Sequence, residues 1–204
     1  MTAQEQKRYD AYEQQVKELE AQGYQHQNLT LEIKSFNIWI IIVGGMISIA
    51  LTFIFMMNVT LEQIKDAYSL RGLIIVLIGY VVLIVVHELI HGFFFGLFAK
   101  RGFKAIQFGV NIKKGIAYCY CGDSLTKGQY IIGCMMPGLL LGLIPLVIAF
   151  ITHSWLIYIL SLCMTLGASG DAAILYKLLT TKIDAQDIVY MDHPTEPGLT
   201  VFYK

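Results

Sequence analysis

Apolar residues along this chain gather into four long runs. Phe36–Met57 carries no charged residue, Gly72–Ala99 carries none outside one short motif, Gln129–Thr152 carries none, and Ser154–Tyr176 carries only Asp171. Each run is close to the roughly 20 residues a helix needs to cross a bilayer. The pattern predicts a mainly α polytopic membrane protein with four transmembrane helices, about 36–57, 72–99, 129–152 and 154–180. The short Thr152–Ser154 break makes the last two an antiparallel helical hairpin.

The polar segments carry weaker periodicities. In residues 1–35, Tyr9, Tyr12, Val16 and Leu19 recur at helical spacing, which predicts a short amphipathic helix capping the membrane face. Leu29–Ile33 alternates apolar and polar residues as a strand does. Between the second and third runs, Ile106, Phe108, Val110 and Ile112 alternate with polar residues or glycine, Lys114-Gly115 suggests a turn, and Ile116–Cys121 can return. That predicts a hairpin over 103–121. It would offer an edge to an extended segment, only close the site, or pair with Leu29–Ile33. The tail, 181–204, is polar and ends in the strand-like Leu199–Tyr203; a further expectation is that this strand pairs with 106–112 and plugs the site. The organisation is therefore 1–35, a membrane core over 36–180, and a tail.

Composition agrees with the runs. The chain has 204 residues, 56% of them hydrophobic, and a mean hydropathy of +0.59. Formal net charge is zero, and no basic block marks nucleic acid as a partner. Thirteen of the 15 lysines and arginines fall in the N-terminal segment, the 100–127 loop and the C-terminal end; only Lys65 and Arg71 fall on the opposite side. Basic loops stay inside, so both termini are expected to be cytoplasmic in a multi-pass cell-membrane protein. The polar first 35 residues do not read as a secretory leader. Of the four cysteines, Cys119 and Cys121 lie in a loop expected to be reducing, and Cys134 and Cys163 lie in helices as small packing residues. A Cys-x-Cys pair alone is a weak metal signal.

Within the second run stands His87-Glu88-Leu89-Ile90-His91. Histidines four apart project from one face of a helix, one turn apart, which suits two imidazoles on one zinc ion. Glu88 reaches the same pocket without being a ligand and is the candidate general base for a metal-bound water. An unpaired charge in the bilayer interior costs at least a few kcal/mol, so a metal is the better reading of ionisable groups at that depth. A catalytic zinc usually takes three protein ligands. His26, His153 and His193 lie in polar or outer segments, and Asp-His-Pro at 192–194 reads as turn chemistry. At membrane depth only Asp171 remains among the other acids. His91 precedes Arg101 by about 15 Å of helix and Asp171 precedes Lys177 by about 9 Å, so both lie in the cytoplasmic half. Asp171 could instead be a protonated or hydrogen-bonded packing residue. Small residues around it, and Gly92 and Gly96 after His91, would let the two helices approach closely. Two nitrogens and a carboxylate also suit Fe(II).

The motif in a membrane helix with Asp171 in a later one resembles the site-2 proteases, membrane-embedded zinc peptidases, and Met136-Pro137-Gly138 is similar to their short proline motif. Two positions depart from that pattern: Gly170 precedes Asp171 where those enzymes have glycine after the aspartate, and Leu139–Leu141 contains no asparagine. The chain is similar over nearly its whole length to a family of small bacterial membrane proteins described as zincin peptidases. That similarity rests on His87–His91, Leu125-Thr126-Lys127, Pro137, Ser169-Gly170-Asp171 and Asp192-His193-Pro194 with Pro197-Gly198. The resemblance implies Zn2+ on His87, His91 and Asp171, with Glu88 catalytic. It implies a membrane protein or peptide substrate cut near the cytoplasmic face, in contact with the lipid bilayer. The alternatives are a non-proteolytic membrane zinc protein, a pseudoprotease that binds membrane partners, and a small metal transporter; the almost wholly apolar outer helix halves argue against the last.

Overall fold

The computed structural model describes residues 3–31, 33–67, 69–111 and 115–204; in the helix over 33–56, side chains are described from Ile42 onward. The architecture is mainly helical with two small antiparallel sheets. In chain order the elements are α1 (Ala3–Ala21), β1 (Gln25–Thr30), α2 (Ile33–Met56), α3 (Leu61–Ala67) and α4 (Leu70–Phe98). A 3-10 turn follows, then β2 (Ile106–Asn111), β3 (Ile116–Cys121), α5 (Lys127–Pro137), a π-helical turn (Gly138–Leu143) and α6 (Ile144–Thr152). The chain continues with α7 (Trp155–Gly167), α8 (Ser169–Thr180), β4 (Ile188–Asp192) and β5 (Gly198–Tyr203). Two compact units result, one of Met1–Leu31, Glu88–Met135 and Ala172–Lys204, the other of Glu32–His87 and Met136–Asp171. The divisions after residues 87, 135 and 171 fall inside the unbroken helices α4, α5 and α8.

The second unit is mainly apolar helix, with the short polar α3 between two long apolar helices. Its helices start where a side chain can satisfy the first free amides. Thr60 and Gln63 form a reciprocal cap before α3, Ser69 accepts from the Gly72 amide at 3.1 Å, and Ser154 caps α7. His153 ends α6 in the left-handed region, φ 52°, which makes the turn expected at Thr152–Ser154. Phe55, Leu146, Ala149, Trp155 and Tyr158 form the buried cluster, with Phe55 stacked 4.1 Å from Tyr158. A Cβ on Gly142 would lie 3.1 Å from the Thr165 Cα, so only glycine lets the π turn approach α7 this closely.

Two helices are long and apolar enough to span a membrane, Leu70–Phe98 and the continuous run Lys127–Thr152; α7 and α8 make a third if the bent pair is one span. Four transmembrane helices were expected, and the described residues give two or three candidates, not clearly four. The fourth run bends by 41° between Gly167 and Ser169, where small residues offer no side-chain packing to hold a straight helix. In α2 the apolar stretch with described side chains, Ile42–Met56, is shorter than a span. Only 6% of the apolar window of α4 is buried by protein, which is consistent with a membrane-spanning helix.

In the first unit, β5 is the middle strand of a sheet ordered β1-β5-β4, and β2 pairs with β3 in a second sheet. Leu199, Thr200, Val201 and Phe202 are fully buried. Gly198, at φ +133°, would place a Cβ 2.5 Å from the Leu29 carbonyl oxygen, so no other residue fits that turn into the sheet. α1 lays Tyr12 and Val16 on this sheet against Met191 and Phe202, and the Tyr12 hydroxyl bonds Thr200 Oγ1 at 2.7 Å. The buried Arg8 guanidinium lies over the rings of Tyr118 (4.6 Å) and Tyr120 (5.4 Å). The hairpin agrees with the sequence pattern, turning at Gly115 with φ +64°. One expectation fails: the tail strand does not pair with β2, because both edges of β5 are taken by β1 and β4. Of the alternatives for the hairpin, pairing with the 29–33 segment is not seen among the described residues. β4 has no sequence signal because its residues do not alternate: Ile188 and Val189 are half-buried and Tyr190–Asp192 are buried.

Candidate metal centre

α4 sorts its side chains into stripes. His87, His91, Phe95 and Ala99, spaced by four, are buried, whereas Leu89, Phe93 and Leu97 are at least half exposed. The histidine pair thus lies on the inner stripe and the apolar residues on the outer one. Glu88 lies beside it, half-buried. The Cys119 thiol on β3 is pushed well above its ordinary range by burial, by Asp192 and by Glu88, so the Glu88 carboxylate is within electrostatic reach of the hairpin.

Asp171 is the third residue of α8, in the first turn after the bend. A helix start favours a carboxylate because free amides and the helix dipole face it. Its Oδ2 lies 3.1 Å from His87 Nε2. One ligand atom each from His87, His91 and Asp171 lie within 4.8 Å of one another. The break in the fourth run places Asp171 in a first helical turn, not in mid-helix. His91 Nδ1 lies 2.9 Å from the Gly133 carbonyl oxygen. A carbonyl can only accept, so Nδ1 is the donor in this bond, and in the neutral ring Nε2 is then the nitrogen with the lone pair.

These donors suit zinc. Nitrogen and oxygen ligands sit about 2.0–2.2 Å from the ion, which places tetrahedral donors about 3.4 Å apart. The donor atoms lie within 4.8 Å of one another, wider than that spacing, so the chemistry of the donor set rather than its exact geometry is what fits zinc.

The other sequence candidates lie elsewhere. His26 on β1 pairs with Glu20 at 3.4 Å, and His153 is in the α6–α7 turn. His193 accepts the Glu196 amide at 3.0 Å and packs 5.8 Å from the Tyr12 ring, as turn chemistry predicts; burial lowers its pKa. The role expected for Gly92 and Gly96 is corrected. Both seat aromatic side chains, not a helix: a Cβ on Gly92 would meet Phe108 at 2.3 Å and one on Gly96 would meet Phe103 at 2.4 Å. Pro137 closes α5 and the wider π turn follows it, the arrangement a helix adopts around a missing amide.

Three residues around the cluster escaped the sequence pattern. Gly133 supplies a carbonyl, which no side-chain motif encodes. Tyr130, one turn earlier on α5, donates to Asp192 Oδ1 at 2.7 Å, and the Cys121 amide donates to Asp192 Oδ2 at 2.7 Å. Burial raises the Asp192 pKa, while these two bonds and the nearby His91 oppose the rise.

Two buried imidazoles and a half-buried carboxylate, carried on apolar helices, make a group that could hold a metal ion. Residues 80–185, just over half of the chain, match the family described as "Putative zincin peptidase", and the chain belongs to that family. The matched segment holds His87, Glu88, His91 and Asp171 together with the hairpin, and the family description points to a zinc metallopeptidase. No curated protein and no solved structure matches the chain.

Proposed function

We propose that this chain is a membrane-embedded zinc metalloprotease that hydrolyses peptide bonds of membrane protein substrates near the cytoplasmic face. The observation that carries the reading is the convergence of His87, His91 and Asp171 within 4.8 Å from two helices. His87 and His91 would supply nitrogen ligands and Asp171 the third, an oxygen. Zinc held there lowers the pKa of water and polarises a carbonyl. Glu88, adjacent to the first ligand but outside the cluster, takes the proton from water and returns it to the leaving amine. The outer edge of β2, unpaired among the described residues, fits an extended substrate segment, which a protease needs before it can cut. The basic-residue distribution supports four spans, with α2 and the α7–α8 pair each crossing once, and both termini cytoplasmic.

One observation favours a second reading, a zinc protein or pseudoprotease that binds membrane partners. Leu139–Leu141, where site-2 proteases carry an asparagine, offer no side chain to stabilise an oxyanion. Elemental analysis of detergent-purified protein, wild type beside Asp171→Ala, is the deciding experiment. About one zinc per chain, largely lost in the variant, supports the three-ligand site; no zinc after reconstitution sinks the metalloprotease reading. Wild-type zinc in Glu88→Gln with unchanged substrate cleavage would select the second reading.

A further inference from the structure

The tail strand touches the metal helix through a chain of packed and bonded groups. Asp192 ends β4, is nine-tenths buried, and accepts from the Tyr130 hydroxyl and the Cys121 amide, each at 2.7 Å. The Tyr130 ring packs 5.5 Å from Phe95, and Phe95 lies 5.9 Å from His91 and nearly parallel to it, at 10°. Phe95 can lie there only because Gly133 has no side chain; a Cβ would meet its ring at 2.2 Å. The same Gly133 offers its carbonyl to His91 Nδ1. Tyr130 and Gly133 are three apart on α5 and share a face. The bond that pins Tyr130 therefore also fixes the height of the Gly133 carbonyl along the His91 ring.

We infer that Asp192 and Tyr130 are positioning residues for His91: the tail strand holds α5 so that Gly133 fixes the His91 tautomer and ring orientation. An uncompensated carboxylate is an expensive group to bury, and a leucine at 192 would serve packing alone better. What leucine would not do is hold a tyrosine hydroxyl and a strand amide at once. The tail is accordingly part of the centre's support, not a removable plug. This inference rests on the metal reading above for its effect on zinc, but not for its effect on the His91 ring.

The test uses the full chain in detergent with 15N-labelled histidine, and His91→Gln assigns one of the five imidazole signals. Tyr130→Phe removes the donor with little change of shape. Asp192→Asn leaves one acceptor for two donors. Tyr12→Phe, which breaks the buried bond to Thr200 in the same unit, is the control for stability alone. In metal-free wild type, His91 is expected as the single Nδ1–H tautomer; in Tyr130→Phe and Asp192→Asn it populates both. Zinc affinity by chelator competition should fall tenfold or more in those two variants, the usual effect of losing a supporting partner of a ligand, and stay unchanged in Tyr12→Phe. Wild-type tautomer and affinity in Tyr130→Phe would overturn the inference. A tautomer change in a protein that binds no zinc at all would uphold it and sink the metal reading alone.

Discussion

The two units handle polar side chains in opposite ways. In the apolar unit, hydroxyls bond backwards to their own helix: Ser48 to Gly44, Thr52 to Ser48, Ser161 to Tyr158, Thr165 to Ser161 and Thr152 to Ile148. The other unit has such back-bonds only at the end of α8, from Thr180 and Thr181 among the described residues, and adds bonds across elements that are far apart in sequence: Tyr12 to Thr200, Gln15 to Gly122, Tyr130 to Asp192, and Lys177 to the Thr30 carbonyl. A helix bound for lipid must satisfy its polar groups before it meets a partner, so it uses the nearest acceptor, three or four residues back. A domain folding in water can leave donors hydrated until the partner arrives, and the pairing then specifies the arrangement. Against this rule the described residues of the second unit include bonds between helices, Thr52 to Tyr158 at 2.7 Å and His87 to Asp171 at 3.1 Å. The first lies in an aromatic cluster; the second is the candidate centre.

The sharpest break in the comparison is expected at that second bond. His87→Ala or His91→Ala should take zinc from about one per chain to near zero by elemental analysis, whereas His193→Ala should leave it unchanged, because His193 is occupied by its own turn.

Backbone crowding comes next. Gly198→Ala forces a Cβ against Leu29 in a left-handed conformation and should cost several kcal/mol, about the upper range for single changes, read as a lower midpoint in thermal unfolding. Gly45→Ala in α2 meets nothing within 4 Å and should be neutral or slightly stabilising, by up to about 1 kcal/mol.

Polar deletions should then separate the units. Thr200→Val strands the Tyr12 hydroxyl in a buried site and should cost about 1–3 kcal/mol. Thr165→Val removes a bond to a carbonyl that belongs to the same helix and should change stability by less than about 0.5 kcal/mol. Equal losses in both would erase the distinction.

The smallest effect is in thiol chemistry. Burial first, then Asp192, pushes the Cys121 pKa up to about 12. Its alkylation in the folded protein should be very slow at pH 8 and should rise about tenfold per pH unit up to that value, since only the thiolate reacts. A plateau near pH 9 would mean that the strand end is open to water.

What could be read from the sequence divides along the same line. The helical runs, the Thr152–Ser154 turn, the β2–β3 hairpin and the spacing of His87 and His91 are all local patterns, and the structure has them. Asp171 was reachable because lipid leaves few acids to choose from. The bend at Gly167–Ser169 was hidden, since small residues permit either close helix packing or a break and only the tertiary structure decides. Gly92 and Gly96 failed for the same reason: the residues that fill them, Phe108 and Phe103, come from a different element. β4 pairs with the nearby β5 but its residues do not alternate, and the Asp192–Tyr130 bond joins residues 62 apart, so neither leaves a periodic trace.

The central place of β5 also sets a clock on synthesis. β1 ends at Thr30, but the strand it pairs with begins at Gly198, 168 positions later. At about 5–20 residues per second, roughly 8–34 s separate the two at the ribosome. Through that interval α1 and β1 have no sheet to join, and the apolar face of Tyr12 and Val16 is open to chaperones and proteases. A stalled chain therefore carries its own label for disposal, and the arrival of β5 removes it.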